Sequence, residues 1–396
     1  MASSPAVAFF GYVFARTGYG TAARNYVYAL HNAHVPMSIV NLGFHSPLKC
    51  IDPVVGHYWK RPLPPDIYLW HSEPIEFMKL AASPRLVALT TWETDLLPMQ
   101  AVEALNRVGE VWVPSHYNLE NFRRQLSVPV FQLPHALPEP VRSCFSRAET
   151  DRELGFEPGS FVFLATGTWQ ERKNLSAVVE AFLRAFPCDP DALLVLKTSF
   201  NFTPESYAHY QIAQAIARAN PPDPEQAANR IRIFPLLWPE DVLASLNNRA
   251  DCMLSLHRGE GWSYPLFEAA GQGTPIVATG YSGPMDFLDP IHHHLVDYRL
   301  VHPPADPGPG AHFPFLPGMQ WAEPSVEHAV QLMRWVYENR AEARRMAAAA
   351  APGLRERYSI ASVGRMAIER LSQFASGSAE SGSPHRIAAG QLLRSA

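Results

Sequence analysis

The chain has 396 residues, 47% hydrophobic and 11% aromatic, with a net charge of −4 and a pI of about 6.5. That length supports two or three domains with a substantial core, and the mild acidity gives no sign of a polyanion-binding surface, so no nucleic-acid partner is expected. Cys50, Cys144, Cys188 and Cys252 form no Cys-x-x-Cys pair and read as reduced thiols, and no apolar run is long enough to predict a transmembrane helix.

Short apolar runs alternate with amphipathic stretches along most of the chain. Val7–Val13 predicts a buried strand, followed by a loop through Gly18-Tyr19-Gly20 and a helix from about Thr21. Ile67–Trp70, Leu86–Thr90 and Val111–Val113 continue this strand series, with helices near Met99–Asn106 and Asn118–Gln125. Pro134–Pro158, rich in proline and charge, marks a domain boundary. A second strand series follows at Phe161–Ala165, Leu193–Leu196, Ile231–Phe234, Cys252–Leu256 and Ile276–Ala278. Helices are expected between these strands at Leu175–Ala185, Glu240–Asn247 and Pro265–Gly271. Pro303–Pro317 reads as a surface loop, and helices at Val326–Ala350 and Ile360–Phe374 close the fold.

Apolar strands separated by helices imply α/β domains whose parallel sheets are covered on both faces. The expected domains are 1–150 and 151–355, then a C-terminal helix at 356–375 packing back toward the first domain, and a flexible tail at 376–396. Residues 1–150 carry twelve Lys/Arg against eleven Asp/Glu, so net charge lends no support to peripheral membrane contact. Ala6–Phe14 lacks a preceding cation and makes a poor signal peptide; a cytoplasmic location is expected.

Glu260 and Glu268 stand out among the polar residues. They lie eight residues apart across a loop-to-helix junction, with glycines flanking the first. In unbroken helix that spacing rises about 12 Å, whereas a glycosidase pair needs its carboxyls about 5–9.5 Å apart. With Glu260 on a loop, the two acids are placed to hold two ends of one long ligand. Upstream, Arg172 and Lys173 sit together between a strand and a helix, as a diphosphate site requires. Lys197 ends the next strand, on the edge where parallel sheets bind ligands. In the first series, Gly18-Tyr19-Gly20 precedes a helix and His71 ends a strand. Thr90–Asp95 follows another strand, and His135 lies near the boundary. His292-His293-His294 is not read as a metal site, because adjacent histidines on a strand point to opposite faces.

The segment Ser255-Leu-His-Arg-Gly-Glu-Gly-Trp-Ser-Tyr-Pro-Leu-Phe-Glu-Ala-Ala-Gly-Gln-Gly-Thr-Pro-Ile-Val277 resembles the E-x7-E signature of family-4 glycosyltransferases. Trp112–Ser115, Leu133–His135, Glu171–Asn174 and Ser282–Pro284 support the resemblance, which covers most of residues 5–375. It implies a GT-B architecture, with two Rossmann-like domains facing across a cleft and the acceptor on the side of the first. It implies a retaining hexosyl transfer from a nucleotide-diphosphate sugar to a hydroxyl acceptor such as a glycan or glycolipid, without metal or other cofactor, in polysaccharide assembly. By position, Glu260 would face the donor sugar and Glu268 the ribose. Lys173 and Arg172 would contact the diphosphate, with backbone amides around Ser263, Tyr264, Pro265 and Leu266. Gly18–Gly20 would approach phosphate or acceptor, Leu236–Pro239 would border the nucleobase, and His71 would take the catalytic histidine role. GDP-mannose is the preferred donor. The alternatives are a non-catalytic nucleotide-sugar-binding protein and a GT-B epimerase. Three residues depart from the pattern: Thr168 where the family often has arginine, Ser263 in place of a glycine, and Trp92-Glu93 in place of His-Asp.

Overall fold

In the computed structural model, which describes residues 4–43, 52–200, 203–304, 306, 309 and 317–380, the two strand series form two parallel sheets. Two units result. One is Met1–Pro138 with Gly261–Ser263 and Arg355–Ala396; the other is Glu139–Glu260 with Tyr264–Leu354.

The first unit contains β1 (Val7–Gly11), α1 (Gly18–Asn32), β2 (Met37–Asn41), α2 (Pro53–Tyr58), β3 (Ile67–His71) and β4 (Ser83–Leu89). It continues with α3 (Met99–Leu105), β5 (Val108–Val113), α4 (His116–Gln125) and β6 (Val130–Gln132). The strands lie in the order β2-β1-β3-β4-β5-β6, and each neighbouring pair is parallel. Every residue of β1 and β3 is buried, which is why these strands read as continuous apolar runs rather than alternating ones.

The second unit starts with α5 (Arg147–Leu154), closed at its N-terminus by a reciprocal Ser146–Glu149 capping box and ended by Gly155 in the left-handed region. There follow β7 (Phe161–Thr166), α6 (Leu175–Ala185), β8 (Ala192–Lys197), α7 (Glu205–Ala219), α8 (Pro224–Asn229) and β9 (Ile231–Phe234). Next come α9 (Glu240–Arg249), β10 (Cys252–Ser255), α10 (Tyr264–Gln272), β11 (Ile276–Thr279) and β12 (His294–Val296). The sheet order is β12-β11-β10-β7-β8-β9, again parallel throughout. β13 (Tyr298–Val301) and β14 (Trp321–Pro324) form a separate antiparallel pair. The chain then enters α11 (Val326–Glu338), α12 (Arg340–Arg357) and α13 (Ile360–Glu380).

Several boundaries differ from expectation. α1 starts at Gly18 rather than Thr21, because the Thr17 side chain caps it by accepting from the Gly20 N–H. The expected helix Val326–Ala350 is two helices, with Asn339 outside both. α13 runs on to Glu380 and packs along α1, while the buried Glu110 of β5 accepts from Arg370 Nε at 2.6 Å. Cys50, most of Pro303–Pro317 and residues 381–396 lie outside the described residues.

Each sheet has one place where strand order reverses direction. In open parallel sheets, ligands bind outside the carboxyl ends of the strands at such a reversal. It lies between β1 and β3 in the first unit and between β10 and β7 in the second. Gly18–Gly20 open the helix after β1, His71 ends β3, and the loops after β7 and β10 carry Arg172–Lys173 and Glu260.

Candidate functional site

In the second unit, the turn after β7 is closed by Gln170, whose carbonyl accepts from Lys173 N–H at 2.9 Å. Asn174 then adopts φ +53°, a left-handed conformation that asparagine tolerates better than most residues, and α6 begins. The loop after β10 approaches this turn through one backbone bond and one side chain–backbone bond. Arg258 N–H donates to Arg172 O at 2.8 Å, and Gly259 O accepts from Arg172 Nη1 at 2.8 Å.

This brings Glu260 against both cations. Lys173 Nζ lies 2.5 Å from its Oε1 and Arg172 Nη1 lies 3.2 Å from its Oε2. The carboxylate is only 5% exposed. Burial by itself would raise its pKa, but Lys173 and Arg172 outweigh burial and hold it at about 2. The backbone is fixed as firmly: Glu260 N–H donates to Ser282 Oγ at 3.0 Å, and Glu260 O accepts from Gly283 N–H at 2.9 Å. Ser282 holds φ +64° to do so. Beneath it, fully buried His257 lies 3.1 Å from Ser255 Oγ and 3.2 Å from Tyr281 O. A carbonyl only accepts, so Nε2 carries the proton, and burial keeps the ring neutral by lowering its pKa.

The structure therefore gathers Arg172, Lys173 and Glu260 into one cluster, with the carboxylate bonded directly to both cations. Other expected residues lie at the same sheet edge. Tyr264, Pro265 and Leu266 form the first turn of α10, where Tyr264 and Leu266 have N–H groups to offer and Pro265 has none. Ser263 precedes them at φ +77°, a conformation costly for any residue but glycine. Glu268 lies farther along α10, half-buried; burial first, and Glu240 second, raise its pKa to about 7. Lys197 is buried and donates to Leu236 O at 2.7 Å, its ammonium 5.2 Å from the centre of the Trp238 ring. Leu236 and Leu237 beside it are exposed.

In the first unit, Gly18, Tyr19 and Gly20 form the opening turn of α1, not a free loop. A Cβ on Gly20 would lie 2.0 Å from Ala15 O, whereas one on Gly18 would meet nothing within 4 Å. Gly20 thus serves close approach to the chain's own backbone. His71, 2% exposed, sits 5.3 Å from the Tyr19 ring and 5.6 Å from Tyr26. His135 lies 5.3 Å from Tyr26 and 5.5 Å from Trp262. Burial lowers the pKa of His71 to about 3 and that of His135 well below its ordinary value, so both rings are neutral. His71 Nδ1 has no hydrogen-bond partner among the described residues. Trp92 Nε1 donates to Leu96 O at 2.8 Å, which folds the Thr90–Asp95 segment on itself.

Sequence reading gave no role to Arg258, Glu171, Glu323 or Ser282, whose partners lie far along the chain. Of the three histidines 292–294, only His294 is in a strand; His292 bonds to Asp289 and His294 packs on Trp335. Among the described residues, no group of three or more His, Cys, Asp or Glu side chains is placed to hold a metal ion, and no helix is long and apolar enough to cross a membrane.

No protein-family model matches the sequence, and no curated protein matches it significantly. Solved structures do match over nearly the whole chain. HepE of Anabaena, in complex with UDP and glucose, is 14% identical, with a TM-score of 0.64 over 93% of this chain and 100% of that one. Sucrose-phosphate synthase from Thermosynechococcus elongatus is 14% identical, with a TM-score of 0.65 over 94% and 100%. A glycosyltransferase from Rickettsia africae is 12% identical, with a TM-score of 0.64 over 94% and 99%. Two parallel six-stranded sheets with flanking helices, matching these structures over nearly their whole length, make this an α/β chain of the GT-B fold.

Proposed function

We propose that this chain is a glycosyltransferase, a hexosyltransferase of the retaining family-4 type, whose second unit binds a nucleoside-diphosphate sugar. The observation that carries the reading is Glu260, held ionised between Arg172 and Lys173 at the carboxyl edge of β7 and β10. A carboxyl with a pKa of about 2 is no proton donor near neutrality, so its role is electrostatic: it supports positive charge developing on the sugar. Arg172 and Lys173 stabilise the departing diphosphate. They supply the charge that a metal would otherwise bring, which supports metal-independent transfer. The diphosphate oxygen takes the proton of the acceptor hydroxyl as it leaves, and the new bond forms on the same face of the sugar. Tyr264 and Leu266 offer backbone N–H groups to the phosphates at the start of α10. Glu268 binds the ribose hydroxyls. Its pKa of about 7 falls when those donors approach, because hydrogen bonds favour the ionised form. His71, neutral and with Nδ1 lacking a partner among the described residues, takes the catalytic histidine role that the sequence resemblance implies.

The donor is tested between GDP-mannose, which the sequence motifs favour, and UDP-sugars, since HepE holds UDP. A glycan or glycolipid hydroxyl is the proposed acceptor, and polysaccharide assembly in the cytoplasm the proposed setting. The test is Glu260→Ala with each donor. Sugar transfer is expected to fall on the order of 100-fold or more, the scale of losing one well-placed electrostatic group, with an intact unfolding transition. Unchanged turnover would overturn the assignment. Nucleotide-sugar binding by the wild type without turnover would make the chain a binding protein, and an isomerised donor without acceptor would make it an epimerase.

A further inference from the structure

Arg258 sits two residues before Glu260, and its guanidinium is almost fully engaged. Nε donates to Glu323 Oε2 at 2.7 Å and Nη2 to Glu323 Oε1 at 3.2 Å, a bidentate clasp on β14. Nη1 donates to the Glu171 carbonyl at 2.8 Å and to its Oε2 at 2.9 Å. The fork lies 5.2 Å from the centre of the buried Trp321 ring. The backbone of Arg258 joins the same elements, donating to Arg172 O and accepting from Ala322 N–H, each at 2.8 Å. Glu171 is held from its other side by the Tyr207 hydroxyl of α7, which donates to Oε1 at 2.9 Å.

We propose that Arg258 is a positioning residue for the diphosphate: it fixes the Arg172–Lys173 turn and keeps the Glu171 carboxylate away from those two cations. The proposal rests on the reading that the second unit binds a nucleoside-diphosphate sugar. The physical reason is competition among charges. Glu171, Arg172 and Lys173 are consecutive, so an unrestrained Glu171 would join Glu260 as a second carboxylate competing with the diphosphate. Arg258 occupies both Glu171 and Glu323, so of these three carboxylates only Glu260 is bonded to Arg172 and Lys173. A lysine at 258 would keep the charge but not the planar fork that reaches both carboxylates.

The test titrates UDP, GDP and their monophosphates into the full-length wild type and its Arg258→Lys, Arg258→Met and Glu323→Gln variants, with thermal unfolding in parallel. The diphosphate that binds the wild type should bind both Arg258 variants about tenfold more weakly, the scale of one charge-assisted hydrogen bond. The monophosphate should change less than about twofold. Adding Glu171→Gln to Arg258→Met should restore part of the loss, which a merely structural role would not produce. If Arg258→Met fails to fold, Arg258→Lys with added Glu171→Gln and Glu323→Gln alone carry the same test, the latter with a loss of about threefold. Undiminished diphosphate affinity in the folded variants, equal losses for mono- and diphosphate, or no rescue by Glu171→Gln would overturn the proposal alone. A wild type that binds neither diphosphate would overturn the underlying reading and the proposal with it.

Discussion

The two units have related but distinct strand orders and fill them with opposite chemistry. Each has six parallel strands with a reversal of order, and each sets its distinctive side chains beyond the strand ends at that reversal. At the edge of the second unit these are ions in two clusters, Glu260 with Arg172 and Lys173 and Arg258 with Glu171 and Glu323, joined by the bond from Arg258 N–H to Arg172 O. At the edge of the first they are rings, with His71, His135, Tyr19, Tyr26 and Trp262 packed together and both histidines neutral. A parallel sheet provides a position for chemistry without choosing it. The loop residues choose, and here the paired ions gather at the edge of the second unit.

The sharpest way to break this contrast is to remove the cations. Changing Arg172 and Lys173 together to Met should weaken the diphosphate that binds by about 100-fold, while His71→Ala should leave that affinity within about twofold. Calorimetric titration checks both, and comparable losses at the two edges would end the distinction.

Backbone packing gives the next effect. Gly20→Ala places a methyl group 2.0 Å from Ala15 O and is expected to cost about 2–3 kcal/mol by overpacking. Gly18→Ala should stay within about 0.5 kcal/mol, the ordinary range for a site that touches nothing. Urea unfolding of the two variants measures the difference. Equal stabilities would return Gly20 to the role of a ligand-facing glycine.

Mild acid should test the buried titratable groups of both units. His71 is held at about 3 in the fold against 6.5 when unfolded, so below pH 6.5 the unfolded chain binds the extra proton. Stability is therefore lost as pH falls from 6.5, by about 2 kcal/mol at pH 5 from His71 alone, with His135 acting in the same direction. Glu268 behaves oppositely. Its pKa is raised from 4.5 to about 7, so its contribution is full below 4.5 and lost as pH rises through 7. Glu260, at about 2, starts to lose its contribution only below pH 4.5. His257, His293 and His294 of the second unit, buried and held below their ordinary pKa, act in the same direction as His71. Hydrogen exchange of β1–β3 and of β7 and β10 amides at pH 7.5 and 5.5, corrected for intrinsic rates, should therefore show both sheets opening more easily in acid, and Glu268→Gln should steepen the loss in the second. An unchanged pH profile in Glu268→Gln would contradict the shift assigned to that group.

The smallest effect is at Ser263. Its φ of +77° suits glycine, so Ser263→Gly should stabilise the chain by a few tenths to about 1 kcal/mol in thermal unfolding. A destabilised variant would mean that the serine side chain contributes more than its backbone strain costs.

Much of this was legible in the residues because buried parallel strands leave a direct trace. Ile231–Phe234 and Leu175–Ala185 are found at the expected bounds, each a run whose length and apolar pattern suit its element. Legibility failed where pattern was weak or a cap decided the matter. β6 has three residues and β12 begins inside a histidine run, so neither offers a period to detect. The start of α1 depended on one hydroxyl, Thr17, bonding three residues ahead.

The candidate site divides along the same line. Arg172, Lys173 and Glu260 could be singled out from the chain alone, because charged residues between an apolar run and a helical stretch mark strand-end loops whatever the distant packing, and Glu268 followed from its spacing to Glu260 across a loop-to-helix junction. That Glu260 bonds to both cations, and that Arg258 joins Glu171 to Glu323, depended on β7, β10 and β14 reaching one edge. Those partners stand 65 to 88 positions apart in the chain. Local sequence determines which side chains are available at a loop and what conformations they can adopt. Tertiary structure decides which charges meet, because Coulomb energy follows distance in space and local dielectric, neither of which is set by separation along the chain.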